Sequence, residues 1–145
     1  SIAQREPRGH SEWSAGGVQT QVINAINNSP LNRGLDGHAW LSTPGNIAIT
    51  NGDDVTLFDD EGGGIYQAHV LYTSRGKEAI ACLKDAFRQM FEDHGADLIM
   101  GLIPDFRRDA KMLVRWAGGK SQGLRNTSEG PCELFVLSKA MWRQH

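Results

Sequence analysis

The chain has 145 residues, a net charge of −2, and ordinary hydrophobic (39%) and charged (22%) fractions. That is the size of one domain with a real core. The charge balance gives no general attraction to nucleic acid or anionic membrane, and no apolar run approaches the roughly 18 residues that suggest a membrane span. Ser1–Glu6 carries no apolar core of a secretory leader. Cys82 and Cys132 lack metal-ligand spacing and read as reduced core residues. Together these features lead us to expect a soluble chain in a cytoplasm, or packaged in something assembled there.

Ser1–Ser14 is polar, carries Pro7 and Gly9, and reads as an irregular arm, either disordered or a docking arm that buries Ile2 and Trp13. Residues 15–145 then form the domain. Val18, Val22, Ile23 and Ile26 space a short amphipathic helix over Gly17–Asn27. It ends before Pro30, because the residue preceding a proline disfavours helix. His38–Leu41 reads equally as a strand or a helical turn. From Asn46 the pattern is β. Asn46–Thr50 and Val55–Phe58 flank Asn51-Gly52, a strong hairpin signal. Asp59-Asp60-Glu61 and Gly62–Gly64 read as a flexible turn, with a hard cation or a cationic acceptor as the other use of those carboxylates.

Gly64–Thr73 is the central strand, rich in β-branched and aromatic residues. At Arg75 the period changes from two to 3.6. Ala79, Ile80, Leu83, Ala86, Phe87, Met90 and Phe91 then mark one buried helix face, and Gly95 suits the left-handed position after its end. Ala96–Pro104 is a mostly apolar, buried strand. A second helix runs from about Phe106 to Ala117, with Ala110, Leu113, Val114 and Ala117 inward and Arg107, Arg108, Lys111 and Arg115 around the rest. Those cations form a solvated helix face or a surface for phosphates. A strand opening near Leu124 and a strand at Glu133–Ser138 complete one α/β domain. The strand–turn–helix at Ser74–Ala79 aims helix-start N–H groups at one point, which suits an anion.

That order resembles the Gcn5-related N-acetyltransferase (GNAT) superfamily over roughly Val55–Trp142. The resemblance rests on His69–Ala79, Gly95–Gly101, Ala110–Gly119 and Gly130–Ser138. Its style, with Arg-Gly-Lys-Glu-Ala and a closing Phe-Val-Leu-Ser, is similar to small acetyltransferase-like proteins of tailed phages, some of them head-assembly or internal virion proteins. The resemblance implies a mixed, mainly antiparallel sheet flanked by helices, acetyl-CoA as cofactor and a primary amine as acceptor. It implies that Arg75, Gly76, Lys77 and Ala79 wrap the pyrophosphate. Leu71 and Thr73 lie on the strand that pairs with the pantetheine arm, and Arg108 belongs to the basic helix facing the phosphates.

Against the family pattern of Arg or Gln, two residues, Gly, one residue, then Gly or Ala, this chain has Glu78 at the fourth position and Ile80 at the sixth. Phe106 stands where Asn is common, and Gly119 or Lys120 replaces a Phe. The usual tyrosine of the last helix is absent, since Tyr66 and Tyr72 are the only tyrosines. His69 is the best-placed base, on the central strand in alternation with Gln67 and Leu71. It reads otherwise as a locally bonded histidine. Tyr72 is the candidate contact to substrate or thiolate, or else a core aromatic. The departures lead us to expect a phage-type protein with degenerate catalysis that acts in virion or head assembly beside other phage structural proteins. The alternative is an active transferase on an unknown amine. Neither reading calls for a membrane or nucleic acid.

Overall fold

The computed structural model describes residues 10–29 and 35–144, with side chains from Gly17 onward. Its elements are α1 (His10–Asn27), α2 (Gly37–Ser42), β1 (Ile47–Asn51), β2 (Asp54–Gly62), β3 (Ile65–Leu71), α3 (Gly76–Asp93), β4 (Leu98–Pro104), α4 (Arg108–Trp116), β5 (Lys120–Thr127), β6 (Gly130–Ser138) and α5 (Lys139–Arg143). The strands form a single sheet in the order β1-β2-β3-β4-β6-β5. Only the β3–β4 pair is parallel; the others are antiparallel. This is the α/β architecture expected from the sequence.

Side-chain alternation sorts the sheet into two faces. Phe58 and Ile49 point to the side of α3, where they meet Leu83, Phe87, Met90 and Phe91 in the main core. Phe87 meets Phe58 edge-on at 6.4 Å, and Trp142 of α5 stacks on Phe91 at 5.1 Å. Val55 and Leu57 point the other way, into a smaller cluster with Val22 and Ile26 of α1 and Trp40 of α2. α1 and α2 pack tightly, since a Cβ at Gly37 would lie 2.7 Å from the Ile23 carbonyl oxygen.

Several elements differ from the sequence reading. α1 takes in His10–Ser14, which was expected in the irregular arm: nothing between Gly9 and Ala15 breaks a helix. Residues 1–9, the rest of that arm, lie outside the described residues. His38–Leu41 is helical, started by the Asp36 side chain accepting from the His38 N–H at 3.1 Å. Asn51 pairs with Asp54, so Gly52-Asp53 forms the hairpin tip, one residue beyond the expected Asn-Gly. Asp59-Asp60-Glu61 is not a turn but the end of β2, and the reversal is left to glycines. β5 begins at Lys120 rather than near Leu124; it is exposed almost throughout, so no alternation marked it.

Two buried carboxylates tie the helices to the sheet. Glu133 of β6 accepts from Lys111 Nζ (2.9 Å) and Arg115 Nη2 (3.1 Å) of α4 and from Ser121 Oγ of β5. The hydroxyl of Ser121 and the ammonium of Lys111 hold its carboxyl below the usual range. Arg115 also lies over the Phe135 ring at 5.3 Å. Asp54 of β2 accepts from the N–H groups of Thr73 (2.8 Å) and Ser74 (3.1 Å), bending the chain as it leaves β3.

Burial opposes the charge on Asp54, but the donors of Ser74 and Thr73 outweigh it and lower its pKa. A carboxyl lowered in the folded state contributes stability above its unfolded pKa, and loses it as pH falls through the folded value. Asp54→Ala, which strands two N–H groups, should cost about 1–3 kcal/mol at pH 7. Asp54→Asn should cost less, and its deficit should shrink below about pH 4. Urea denaturation at pH 7 and pH 3 checks both; an equal Asn deficit at the two pH values would count against the charge-assisted bonds.

Candidate active site

The site begins where two strands stop pairing. β3 and β4 are joined at Ile65↔Leu98, Tyr66↔Ile99 and Gln67↔Met100, and no further. Before that point the Gly64 carbonyl accepts from the N–H groups of Asp97 and Leu98, which closes the narrow end. Beyond it β3 pairs only with β2, as far as Leu71↔Val55, and β4 only with β6, as far as Pro104↔Cys132. The strands open into a V toward Thr73. Backbone groups on its inner edges lack a strand partner. A cavity of about 1130 Å³ passes through this opening, from α3 and α4 on one face to the C-terminal part of α1 on the other.

At one mouth stands the start of α3. Arg75 holds the N-cap position in an extended conformation, and its side chain makes no capping bond. The first N–H groups of α3 therefore have no side-chain acceptor at the cap. Gly76 takes φ +61, in the left-handed region that favours glycine. Arg75 Nη1 folds back onto the carbonyls of Tyr72, Thr73 and Ser74 at 3.4, 3.4 and 3.0 Å. Glu78 is exposed and is not part of the cavity wall, whereas Ile80 lines it.

On the opposite face lies a chain of polar contacts. His69 pairs with Leu57 and so shares its face. His69 Nε2 meets Asp59 Oδ2 at 2.8 Å, and Asp59 Oδ1 accepts from the Trp40 indole N–H at 2.5 Å. The His69 side chain is 41% exposed, so a proton taken there can pass to water. Burial works against the Asp59 charge, but His69 and Trp40 outweigh it and hold the carboxyl below its ordinary value. An imidazole bonded to a carboxylate through Nε2 leaves Nδ1 to accept a proton. From the sequence Asp59 was considered only within the acidic run Asp59-Asp60-Glu61, for a cation or a cationic acceptor, and Trp40 was given no site role. The signal for Asp59 was its alternation with Val55 and Leu57, hidden inside an acidic run.

The other expected site residues are distributed as follows. Leu71, Thr73, Arg75, Gly76 and Ala79 line the cavity. Leu71 packs toward the α1 face, and the Thr73 N–H and hydroxyl are engaged by Asp54. Lys77 is exposed beside the cavity wall. Arg108 borders a separate shallow depression on α4 with Lys111, Met112, Arg115 and Trp116. Tyr72 is on the α3 face, opposite His69; it lines the cavity, and its hydroxyl shares a 2.6 Å bond with Thr56. Burial raises its pKa strongly, against a smaller opposing effect of Thr56, so the phenol stays protonated. Among the described residues no three His, Cys, Asp or Glu side chains converge to hold a metal ion. No described helix is long and apolar enough to cross a membrane.

No protein-family model matches the chain, and no curated protein sequence is similar to it. Solved structures are. Aminoglycoside acetyltransferase AAC(6')-Ib in complex with coenzyme A and kanamycin aligns over 99% of this chain and 98% of its own, with TM-score 0.62 and 16% identity. The same enzyme with ribostamycin and coenzyme A aligns over 68% of this chain and 65% of its own, with TM-score 0.55 and 17% identity. In that alignment the chain spans just under two thirds of its neighbour. A variant of spermidine N-acetyltransferase SpeG from Vibrio cholerae aligns over 69% of each chain, with TM-score 0.55 and 8% identity. The likeness at these identities is one of fold: the chain has the GNAT acetyltransferase fold.

Asp59→Ala removes the acceptor of an indole N–H on a buried ring. It should cost about 1–3 kcal/mol in chemical denaturation. Asp59→Asn keeps an acceptor oxygen for Trp40 and should lose less. Equal losses in the two variants would mean that the Trp40 bond contributes nothing.

Proposed function

We propose that the chain is an N-acyltransferase that takes an acetyl group from acetyl-CoA to a primary amine. The observation that carries this reading is the opening between β3 and β4, with an uncapped helix start at one mouth and His69–Asp59 at the other. An anion at the start of α3 meets N–H groups and the positive end of the helix dipole. Arg75, Gly76, Lys77 and Ala79 would surround the pyrophosphate there, with Arg108 of α4 as a more distant countercharge. The edge of β3 left open beyond Gln67, with Leu71 lining the cavity beside it, suits an extended, amide-bearing arm, as an added strand does; the Thr73 N–H and hydroxyl, held by Asp54, take no part. The likeness to structures that hold coenzyme A with kanamycin or ribostamycin supports the same reading.

Bound acetyl-CoA supplies an activated acyl group. The chain's own groups do the rest. His69 Nδ1 takes the proton of the attacking amine, while Asp59 orients the ring and offsets the charge that the imidazole gains. Tyr72 lies across the sheet from His69, on the side of α3. There its phenol, kept protonated by burial, would donate a hydrogen bond to the leaving thiolate, which departs as the weaker base and takes its proton from water.

A second reading, a docking protein of a virion or another cytoplasmic assembly, draws on α4. Phe106, Met112 and Trp116 are 75%, 59% and 66% exposed, beside Arg108 and Arg115. We favour the transferase because Glu78, which would oppose a phosphate if it faced inward, stands outside the cavity.

Calorimetric titration with acetyl-CoA tests the proposal: binding near micromolar is expected, and none at millimolar ligand would overturn it. Ile80→Ala should tighten binding several-fold, because Ile80 narrows the wall, while Glu78→Gln should change it little. His69→Ala should lower turnover by about 100- to 10,000-fold with acetyl-CoA affinity retained. Unchanged turnover in that variant would remove His69 from the mechanism.

A further inference from the structure

The two halves of the cavity differ in chemistry. The half beside α3 and α4 carries Arg75 and Arg107. The half beside α1 is walled by Leu71, Met100, Leu102 and Val136, which share one face of the sheet with His69 through the registers Gln67↔Met100 and Met100↔Val136. The polar groups that α1 and the turn after it add there include the amides of Asn24 and Asn28. Among the described residues two carboxylates line the cavity. Asp53 sits on the exposed hairpin tip, and Asp109 belongs to α4 and is paired with Arg107 at 3.1 Å. Asp59 is engaged by His69 and Trp40.

We infer that the acceptor is a monoamine on an apolar or peptide-like scaffold, not a polycation; this rests on the acyltransferase reading above. The reacting nitrogen must be neutral to attack. An apolar chamber disfavours an ammonium and so lowers the pKa of an amine brought into it. For a monoamine, desolvation and activation work together, and His69 receives the one proton that remains to be lost. The amides of Asn24 and Asn28 suit the carbonyl and N–H of a peptide-like acceptor. For a polyamine, the further ammonium groups would stay charged against the apolar wall of Leu71, Met100, Leu102 and Val136, and among the described residues the carboxylates of the lining are Asp53, out on the exposed hairpin tip, and Asp109, paired with Arg107.

The test compares leucinamide with spermidine and kanamycin, using the full chain, acetyl-CoA and a thiol-release assay. Each kcat/KM is divided by the uncatalysed rate of the same amine. Leucinamide should be preferred by roughly tenfold or more. Asn24→Asp places a carboxylate at an exposed position on the chamber rim, where folding tolerates it. It should shift the preference several-fold toward spermidine while calorimetric affinity for acetyl-CoA stays the same. Acetyl-CoA binding together with a preference for spermidine or kanamycin overturns this assignment alone. Absence of acetyl-CoA binding overturns the acyltransferase reading, and this assignment with it.

Discussion

The β3–β4 ladder stops after Gln67 and Met100, and the rest of the site depends on that stop. Two strands side by side ordinarily continue to pair, because an unpaired backbone N–H or C=O away from water is costly. Here each strand has a stronger commitment elsewhere. β3 stays on β2 to its last residue, and Asp54 draws Thr73 and Ser74 further toward β2. β4 stays on β6 to Pro104, and the Asp105 N–H continues that attachment to the Pro131 carbonyl. The opening is what remains when both outer pairings are satisfied. It therefore needs no strained residue along either strand.

Holding such a gap open requires that the helices at its mouth do not drift. α3 is held by the apolar contacts of Leu83, Phe87, Met90 and Phe91, which are strong but not directional. α4 has no fully buried residue, so apolar contact alone fixes it less firmly. Glu133 supplies the missing direction. A carboxylate that accepts from Lys111, Arg115 and Ser121 at once has few alternative positions. Burying it is costly unless those partners are in place, so the arrangement selects one placement of α4 over β5 and β6. Asp54 does the same for the turn that enters α3.

Much of this was legible in the residues. α3 was readable because its six buried positions keep a 3.6 period, and the switch at Arg75 fell where Gly76 opens the helix. The central strand and the buried strand β4 followed from their residue types and strand-length runs, whereas their parallel pairing is seen only in the fold. Other features needed the folded chain. Trp40, Asp59 and His69 come from three elements, and only the register Leu57↔His69 brings them to one face. Asp59 sits in an acidic run whose composition favours a turn, and its partners outvote that preference. β5, exposed almost throughout, owes its strand state to pairing with β6 rather than to its own pattern. Thr73 was read as a group facing the arm of a ligand. Its N–H and hydroxyl instead go to Asp54, a residue whose role could be seen only once β2 lay beside the end of β3.

The departures at Glu78 and Ile80 bear differently on binding once the source of the donors is considered. N–H groups at a helix start are supplied by the backbone, so side chains in the first turn affect them only by position. Glu78 stands outside the cavity, and a carboxylate in the first turn also complements the helix dipole. Two other positions are constrained. Gly76 at φ +61 cannot readily gain a Cβ, and Ala79, buried as well as lining the cavity, leaves little room for a larger side chain. Both match what a backbone-built anion site requires. Low identity to the solved acetyltransferases does not by itself count against the proposed phosphate turn. The placement of His69 and Tyr72 is set instead by strand alternation. His69 and Tyr72 are three residues apart on an extended strand and so lie on opposite faces, and a shift of one residue in the β2–β3 register would exchange them. The Asp59–His69 contact, made between strands that neighbour in that register, is therefore also a marker of it.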